Sequence, residues 1–297
     1  MNGYAGADTI VGGSANDTIN GGDGSDSLTG NGGNDIYLFD ANDVDTGESI
    51  TEAGGGGTDV VVLNSTIDFS NMTAASFDEI EEIRFASADG TGTFTGTQLT
   101  GETLDLTETA AGTSNVIVNV ASGTTVTFAN MTASTFTSGS DTITINGARG
   151  NENITGPNVA STYNAGVGND VIMAGSDNDI IDGGTGADNL TGSGGNDIYL
   201  FDTSDVDSGE SITESGGGGA DVVALNSTVD FSDMTAASFD EIEEIRFAGA
   251  NKTGTFTGAQ LTGETLDLTE TAEGVSTLII NVGAGETVTF FHMTAST

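Results

Sequence analysis

The sequence predicts an all-β fold, a right-handed parallel solenoid made of two tandem copies of one unit. Three observations predict it: a nine-residue period, a longer period of 162 residues, and short β-branched segments with glycines between them. Self-similarity at a fixed period is typical of repeat architectures, and β-branched segments bounded by glycine are typical of strands. We therefore expect short stacked strands in which each coil contacts only its neighbours.

The nine-residue period is clearest over residues 12–38 and 165–200. Each block opens with small residues, mostly glycine, places Asp sixth and an aliphatic or aromatic residue eighth, as in GGDGSDSLT. Glycine permits the positive φ angles of a tight loop and leaves the backbone carbonyls accessible. A block is therefore interpreted as a loop followed by a short strand whose eighth-position residue points into the core. The expected core residues are Ile10, Ile19, Leu28, Tyr37, Ile172, Ile181, Leu190 and Tyr199.

Two blocks make one coil of about 18 residues, so strands of successive coils stack about 4.8 Å apart. This stacking places Asp8 above Asp26 and Asp17 above Asp35. Carboxylates at that separation repel each other unless a cation lies between them. Calcium suits the gap because it accepts both carboxylate and carbonyl oxygens, whereas zinc prefers His or Cys and magnesium a stricter octahedron. The alternative interpretation is that the loops are only hydrophilic turns.

The blocks resemble the RTX (repeats-in-toxin) nonapeptides, whose pattern is GGxGxDxUx. GGDGSDSLT at 21–29 and GGTGADNLT at 183–191 match the pattern in full. The resemblance implies a calcium-loaded parallel β-roll and assigns a calcium-binding role to Asp8, Asp17, Asp26, Asp35, Asp170, Asp179, Asp188 and Asp197. The backbone carbonyls expected to join them are those of Gly12, Gly21, Gly24, Gly30, Gly183, Gly186 and Gly192. Glu152 and Ser161 occupy the Asp position in degenerate blocks, so Glu152 is a weaker candidate.

The 162-residue period divides the chain into alternating segments. It aligns 36–40 with 198–202 and 72–86 with 234–248. The predicted segments are an RTX β-roll at 1–40, a Thr/Gly-rich β segment at 41–137, a second β-roll with degenerate first turns at 138–202, and a second, shorter Thr/Gly-rich segment at 203–297. The Thr-rich segments resemble those that flank such arrays in bacterial surface-layer proteins and large adhesins.

Strands and one helical turn are predicted within the first Thr-rich segment. The alternating pattern predicts strands at 59–63, 102–106, 115–120 and 124–128. Apolar residues spaced by three over 74–83 predict a helical turn that leads into a strand.

An acidic loop follows each array. It contains Asp40, Asp43, Asp45 and Glu48 in the first copy and Asp202, Asp205, Asp207 and Glu210 in the second, and Asp43, Asp45, Asp205 and Asp207 are its metal candidates. These residues are weaker metal candidates because the loop lacks the ligand order of an EF-hand, including its twelfth-position Glu. A solvated turn is the alternative.

Composition excludes several classes of function. A formal charge of −41 excludes a nucleic-acid surface and disfavours an anionic membrane, because like charges repel. The chain has no Cys and no apolar run of membrane-spanning length. Its lone histidine, His292, forms no catalytic constellation, so we expect a protein that is not an enzyme. Paired carboxylates of a glycoside hydrolase stay open as an alternative, because acidic residues are abundant.

These observations predict a calcium-dependent structural region of a secreted bacterial surface protein. We expect the chain to fold on extracellular calcium and to associate with itself, head-to-tail or as a lattice, in a surface layer, filament or adhesin stalk. The resemblance implies type I secretion and a location outside the cell, at its surface. Two alternatives are a carrier module of an enzyme or toxin whose catalytic domain is absent, and an ice- or glycan-binding adhesin segment. A cell-surface polysaccharide is a further candidate partner.

Overall fold

The computed structural model describes residues 1–52, 56–136, 140–214 and 219–289, and the backbone of 292–296. The described chain is almost entirely β and forms two compact units. The first comprises Met1–Ala121, Val126–Ile145 and Pro157–Val159, and the second comprises Ser122–Thr125, Asn146–Gly156 and Ala160–Thr297. The segment boundaries derived from the sequence stay a prediction, and the one at 137/138 lies outside the described residues. The side chain of His292 also lies outside them.

The strands are short and follow one another closely along the chain. They are β1 (Thr9–Val11), β2 (Thr18–Ile19), β3 (Ser27–Thr29), β4 (Ile36–Phe39), β5 (Ser49–Thr51), β6 (Val60–Leu63), β7 (Ile67–Asp68), β8 (Glu82–Phe85), β9 (Thr91–Thr95), β10 (Asp105–Glu108), β11 (Asn115–Asn119), β12 (Thr125–Thr127), β13 (Thr142–Asn146) and β14 (Asn153–Thr155). They continue with β15 (Thr162–Asn164), β16 (Val171–Met173), β17 (Ile180–Asp182), β18 (Asn189–Thr191), β19 (Ile198–Phe201), β20 (Ser211–Ile212), β21 (Val222–Leu225), β22 (Val229–Asp230), β23 (Glu244–Phe247), β24 (Thr253–Thr257), β25 (Thr265–Glu270), β26 (Thr277–Asn281) and β27 (His292–Ser296). The described helices are α1 (Gly96–Leu99) and two 3₁₀ turns (Ala74–Phe77 and Ala236–Phe239). Among the described residues, no helix has the length and apolarity needed to cross a membrane.

Parallel strands build the first unit. Within it, neighbouring strands follow the orders β1-β3-β5, β2-β4-β6-β8-β10 and β7-β9-β11. Ile10 pairs with Leu28, an offset of 18 residues, whereas Tyr37 pairs with Val61 and Val61 with Ile83, offsets of 24 and 22. The coil length is therefore constant within the array and changes after it.

The second unit repeats this arrangement of parallel strands. Within it, neighbouring strands follow the orders β14-β16-β18-β20, β15-β17-β19-β21-β23-β25-β27 and β22-β24-β26. Ile172 pairs with Leu190 at the 18-residue offset, and Tyr199 pairs with Val223 at an offset of 24. The same sequence of coil lengths thus follows each array.

The eighth-position residues form the core of the arrays, as the period predicts. Seven of the eight are fully buried: Ile19, Leu28, Tyr37, Ile172, Ile181, Leu190 and Tyr199. The prediction is wrong for Ile10, which is only half-buried. Ile10 lies in β1, the edge strand of its sheet, so it has a neighbouring strand on one side only.

Phenylalanines fill the wider coils beyond each array. Phe69 stacks on Phe94 with ring centroids 5.1 Å apart, and Phe39 and Phe77 meet Phe69 edge-on. The second unit repeats the cluster with Phe201, Phe231, Phe239 and Phe256. Such pairs add about 0.5–1.5 kcal/mol each beyond area burial, so these coils have an apolar core that does not depend on a cation.

The elements predicted for the Thr-rich segment are mostly confirmed. The helical turn is the 3₁₀ turn Ala74–Phe77, and it leads into β8 as expected. The strand expected at 102–106 is displaced to Asp105–Glu108. The displacement follows from α1, because after its end at Leu99 the chain makes a turn in which the Glu102 amide donates to the Leu99 carbonyl.

Candidate metal centre

The array aspartates stack as predicted, and one oxygen of each later carboxylate has a backbone partner. The Asp8 amide donates to Asp26 Oδ1 at 2.8 Å, and the Asp17 amide donates to Asp35 Oδ1 at 2.8 Å. In the second array the Asp170 and Asp179 amides donate to Oδ1 of Asp188 and Asp197 at 2.7 and 2.8 Å. Because the parallel register advances by 18 residues, each carboxylate lies beneath the amide of the aspartate one coil earlier. We name each such column of acidic residues a carboxylate ladder.

The second oxygen of most array aspartates is buried and has no hydrogen-bond partner. This holds for Oδ2 of Asp8, Asp26, Asp35, Asp170, Asp188 and Asp197. The remaining two differ, since Asp17 Oδ2 accepts from the Gly13 amide and Asp179 Oδ2 accepts from the Gly175 amide. A buried carboxylate oxygen without a partner is costly. These six atoms therefore require a proton or a cation.

Glycine carbonyls lie close to the Oδ2 atoms of two array aspartates. A Cβ built on Gly3 would lie 2.5 Å from the Gly21 carbonyl oxygen and 2.7 Å from Asp8 Oδ2. One built on Gly12 would lie 2.6 Å from the Gly30 carbonyl oxygen and 2.7 Å from Asp17 Oδ2. The space that a side chain would fill is thus lined by one carbonyl and one carboxylate oxygen, the mixed donor set that calcium accepts. Two of the predicted carbonyls, those of Gly21 and Gly30, lie in these positions.

The other predicted glycines have different surroundings. Gly24 and Gly186 adopt φ angles of 129° and 133°, and a side chain on either would overlap the carbonyl oxygen of the glycine one coil earlier. Gly183 and Gly192 lie against the free Oδ2 of Asp188 and Asp197. The Gly12 carbonyl accepts from the Asn31 side chain at 3.3 Å. A ligand role for these carbonyls stays a prediction.

Both ladders continue beyond the arrays through residues that the nine-residue period did not select. The Asp26 amide donates to Glu48 Oε2, the Asp35 amide to Asp59 Oδ1, and the Asp59 amide to Glu81 Oε2, all at 2.7–2.8 Å. The second copy continues in the same way through Glu210, Asp221 and Glu243. The sequence carried a signal for these residues, because each of them directly precedes a strand, as the array aspartates do.

The weaker candidates have partners of their own. Glu152 is buried, and its two carboxylate oxygens accept from the Gly123 and Ala148 amides at 2.6 and 3.2 Å. Asp43 Oδ2 accepts from the Asp40 amide at 2.7 Å, so it closes a turn. Asp205 accepts from the Asp202 amide in the same way. Asp45 and Asp207 are exposed. A metal-binding role for these five residues stays a prediction.

Burial raises the pKa of many ladder carboxylates. It raises the pKa of Glu48 to about 8 and that of Glu210 to about 9, and nearby carboxylates increase the shift while a backbone amide opposes it. Burial likewise raises the pKa of Asp179 and Asp188 to about 7, and that of Asp170 and Asp197 to about 6. Without a cation, Glu48 and Glu210 therefore favour the protonated form at neutral pH. Asp179 and Asp188 change their protonation state around neutral pH, and Asp170 and Asp197 do so in slightly acidic solution.

Among the described residues, two groups of three carboxylates are each compact enough to hold one metal ion. They are Asp35, Glu52 and Asp59, and Asp197, Glu214 and Asp221, with one oxygen from each residue within 4.8 Å of the others. Glu52 and Glu214 lie outside the nonapeptide blocks, and neither was selected from the sequence.

The comparison with known families agrees with this geometry. The family model described as the RTX calcium-binding nonapeptide repeat matches four copies, within residues 2–37 and 164–199. All eight array aspartates fall in these two ranges. No curated protein and no solved structure matches the chain. The chain therefore carries RTX calcium-binding nonapeptide repeats, in two arrays.

Proposed function

We propose that this chain is a non-catalytic structural repeat region that folds when its carboxylate ladders bind calcium. The observation that carries the proposal is the set of six array aspartates whose Oδ2 atoms are buried without a partner. The matched family is a calcium-binding repeat, in keeping with the mixed carboxylate and carbonyl donors around Gly3 and Gly12. In this proposal the coils wind with the right-handed crossover usual for parallel strands.

Calcium changes the balance of folding because it binds the folded coils and not the separated loops. A site whose ligand is in hundredfold excess over its dissociation constant adds about 2.7 kcal/mol. Several such sites offset the repulsion of a chain with a formal charge of −41. The chain therefore stays extended at low calcium, inside a cell, and folds in the calcium of the extracellular medium.

Circular dichroism of the full chain at pH 8 tests this coupling, because protons no longer occupy most of the array carboxylates at this pH. We expect β structure in millimolar calcium, its loss on addition of EGTA, and its return when calcium is restored in excess. Magnesium at the same ionic strength is the control, because it prefers a stricter octahedral site. An unchanged β spectrum in EGTA would contradict the proposal.

We further propose that the folded chain belongs to a secreted surface protein and associates with itself. In support, Val171 and Met173 on the outer side of β16 are 39% and 50% exposed. Val167, in the loop before this strand, is 50% exposed. A group of exposed apolar side chains marks a surface suited to protein association.

Sedimentation velocity in calcium tests the association. Met173→Lys should reduce the concentration-dependent assembly of the wild-type chain, because a charge placed on an apolar surface opposes its burial. Thr127→Lys is the matched control, since it adds the same charge at an exposed polar position of β12. Monomers at all concentrations in the wild type would contradict self-association.

A further inference from the structure

The end of each array has a different donor set from the coils within it. Within the array, the space beside Gly12 is lined by Asp17 Oδ2 and by the Gly30 carbonyl of the next coil. Beside Gly30, one coil later, the corresponding space is lined by Asp35 Oδ2 and by Glu52 Oε1. A glutamate carboxylate thus lies where the preceding coil presents a glycine carbonyl.

The strand register explains this exchange. Val11 pairs with Thr29, and Thr29 pairs with Thr51, so Gly12, Gly30 and Glu52 follow equivalent positions in three successive coils. The third coil is longer than those of the array, since Asp35 and Asp59 are 24 residues apart. Its first-position glycine is replaced by Glu52, whose side chain folds back towards Gly30.

The cluster at this position contains oxygens without partners. Asp35 is fully buried, and both its Oδ2 and Glu52 Oε2 lack a hydrogen-bond partner. Asp59 is 6% exposed and contributes the third carboxylate within 4.8 Å. Among the described residues, the recorded ion pairs are Arg84–Glu82 and Arg246–Glu244, so no basic side chain neutralises the cluster.

A tyrosine hydroxyl orients the glutamate. Tyr37 donates to Glu52 Oε1, and a Cβ on Gly30 would lie 2.7 Å from the Tyr37 hydroxyl. One oxygen of Glu52 is thereby fixed, which leaves Oε2 for another partner.

The second copy reproduces the arrangement. Tyr199 donates to Glu214 Oε1, and Asp197 Oδ2 and Glu214 Oε1 both lie against Gly192. Asp197 is fully buried, and its Oδ2 has no partner. The arrangement therefore recurs 162 residues along the chain with every member present.

We propose that Asp35, Glu52 and Asp59, and their counterparts Asp197, Glu214 and Asp221, form two terminal calcium sites that fill before the sites within the arrays. The inference rests on the proposed calcium-dependent folding. Its physical reason is charge, because each terminal site gathers three carboxylates, whereas a site within the array combines carboxylate with neutral carbonyl oxygens. The number of charged ligands is one of the factors that set the affinity of calcium sites.

Tyrosine-sensitised terbium luminescence of the full, metal-free chain tests the order of filling. Terbium binds oxygen ligands as calcium does, and the chain has four tyrosines and no tryptophan to excite it. Because the Tyr37 and Tyr199 hydroxyls contact Glu52 and Glu214, we expect strong emission from the first terbium bound. Glu52→Gln with Glu214→Gln should raise the terbium and calcium concentrations needed for this first phase by about tenfold or more.

The controls separate loss of a ligand from loss of charge. Glu79→Gln with Glu241→Gln removes the same charge from two exposed positions of the same repeat phase and should leave the first phase within about twofold. Tyr37→Phe with Tyr199→Phe should dim the first phase while calcium still displaces the bound terbium. Tyr4→Phe, at a residue that is 76% exposed, should not dim it.

The outcomes distinguish this inference from the proposed function. A first phase unchanged by Glu52→Gln with Glu214→Gln, in a wild-type chain that binds calcium, overturns the terminal sites alone. A wild-type chain that binds no calcium overturns both. If the double variant does not fold in excess calcium, Glu52→Gln alone leaves the second copy as an internal reference, and about half of the first phase should remain. Retention of the whole first phase in that single variant also contradicts the inference.

Discussion

At the scale of single residues, most array aspartates divide their two oxygens between two tasks. Asp26 Oδ1 accepts from the Asp8 amide, whereas Asp26 Oδ2 is buried without a partner beside Gly21. The first oxygen holds the coil before it, and the second is available to a cation. A substitution that removes one function and retains the other can separate them.

Asp26→Asn should weaken calcium binding and leave the metal-free spectrum unchanged, because an asparagine oxygen can still accept from the Asp8 amide. Asp26→Ala should cost a further amount of about 1–3 kcal/mol, since that buried amide then lacks an acceptor. Calcium titrations followed by chemical denaturation measure both effects. Asp23→Asn is the control, at an exposed position of the same loop, and should change neither quantity. Equal losses in the Asn and Ala variants would contradict the division of tasks.

Gly21→Ala should displace the free oxygen of Asp26. A methyl group at Gly21 would overlap Oδ2, and the carboxylate cannot swing aside without losing the Asp8 amide. Overpacking of this kind costs about 1–3 kcal/mol, and we expect weaker calcium binding by isothermal titration calorimetry. Gly13→Ala, in the neighbouring block, would place its Cβ in open space and should bind calcium normally. Normal binding by Gly21→Ala would contradict the placement of Oδ2.

At the scale of elements, the coils beyond the arrays have stabilising contacts that need no cation. Gln98, in α1, is buried and accepts from the Thr95 amide at 2.7 Å. Its side-chain nitrogen donates to the Phe69 and Met72 carbonyls at 2.8 and 3.2 Å. One side chain thus joins the end of β9 to the turn that follows β7.

Gln98→Leu should lower the free energy of unfolding in saturating calcium by about 1–3 kcal/mol, because it leaves buried backbone groups unpaired. Denaturant unfolding measures the change. Calcium affinity of the arrays should not change, since Gln98 contacts no ladder residue. Thr97→Ala, at an exposed position of the same helix, should stay within about 0.5 kcal/mol of the wild type. A similar loss in both variants would contradict the role of Gln98.

At the scale of the whole molecule, the ladders make stability depend on pH in opposite directions with and without calcium. The folded pKa of Glu48, Glu210, Asp179 and Asp188 is raised to between about 7 and 9, above that of an ordinary carboxyl group. A group with a raised folded pKa contributes stability that is complete at acidic pH and is lost as the pH rises through the folded value. The metal-free chain should therefore lose order between about pH 4 and pH 9.

Thermal unfolding of the calcium-depleted chain in calcium-free buffers across this pH range measures the effect. We expect the highest midpoint at the acidic end, where protons occupy the ladders. In calcium the trend should reverse, because calcium binds the deprotonated carboxylates and binding releases protons. A metal-free chain that is more stable at pH 8 than at pH 5 would contradict the burial of these groups.

The sequence alone determined the regular part of this protein. The nine-residue spacing places Asp8 over Asp26 and the eighth-position residues in the core, because a constant period in a parallel stack puts equivalent residues in one line. The half-buried Ile10 departs from the pattern only because β1 is an edge strand.

Only the tertiary structure decided how the ladders continue beyond the arrays. Glu48, Glu52 and Asp59 join the array aspartates at offsets of 22 and 24 residues, which are not multiples of nine. Those offsets depend on how much chain the loops absorb before each strand pairs, and spacing along the sequence does not specify this length. The division of each carboxylate between a backbone amide and a cation also depends on register and burial, which exist only once the coils are stacked.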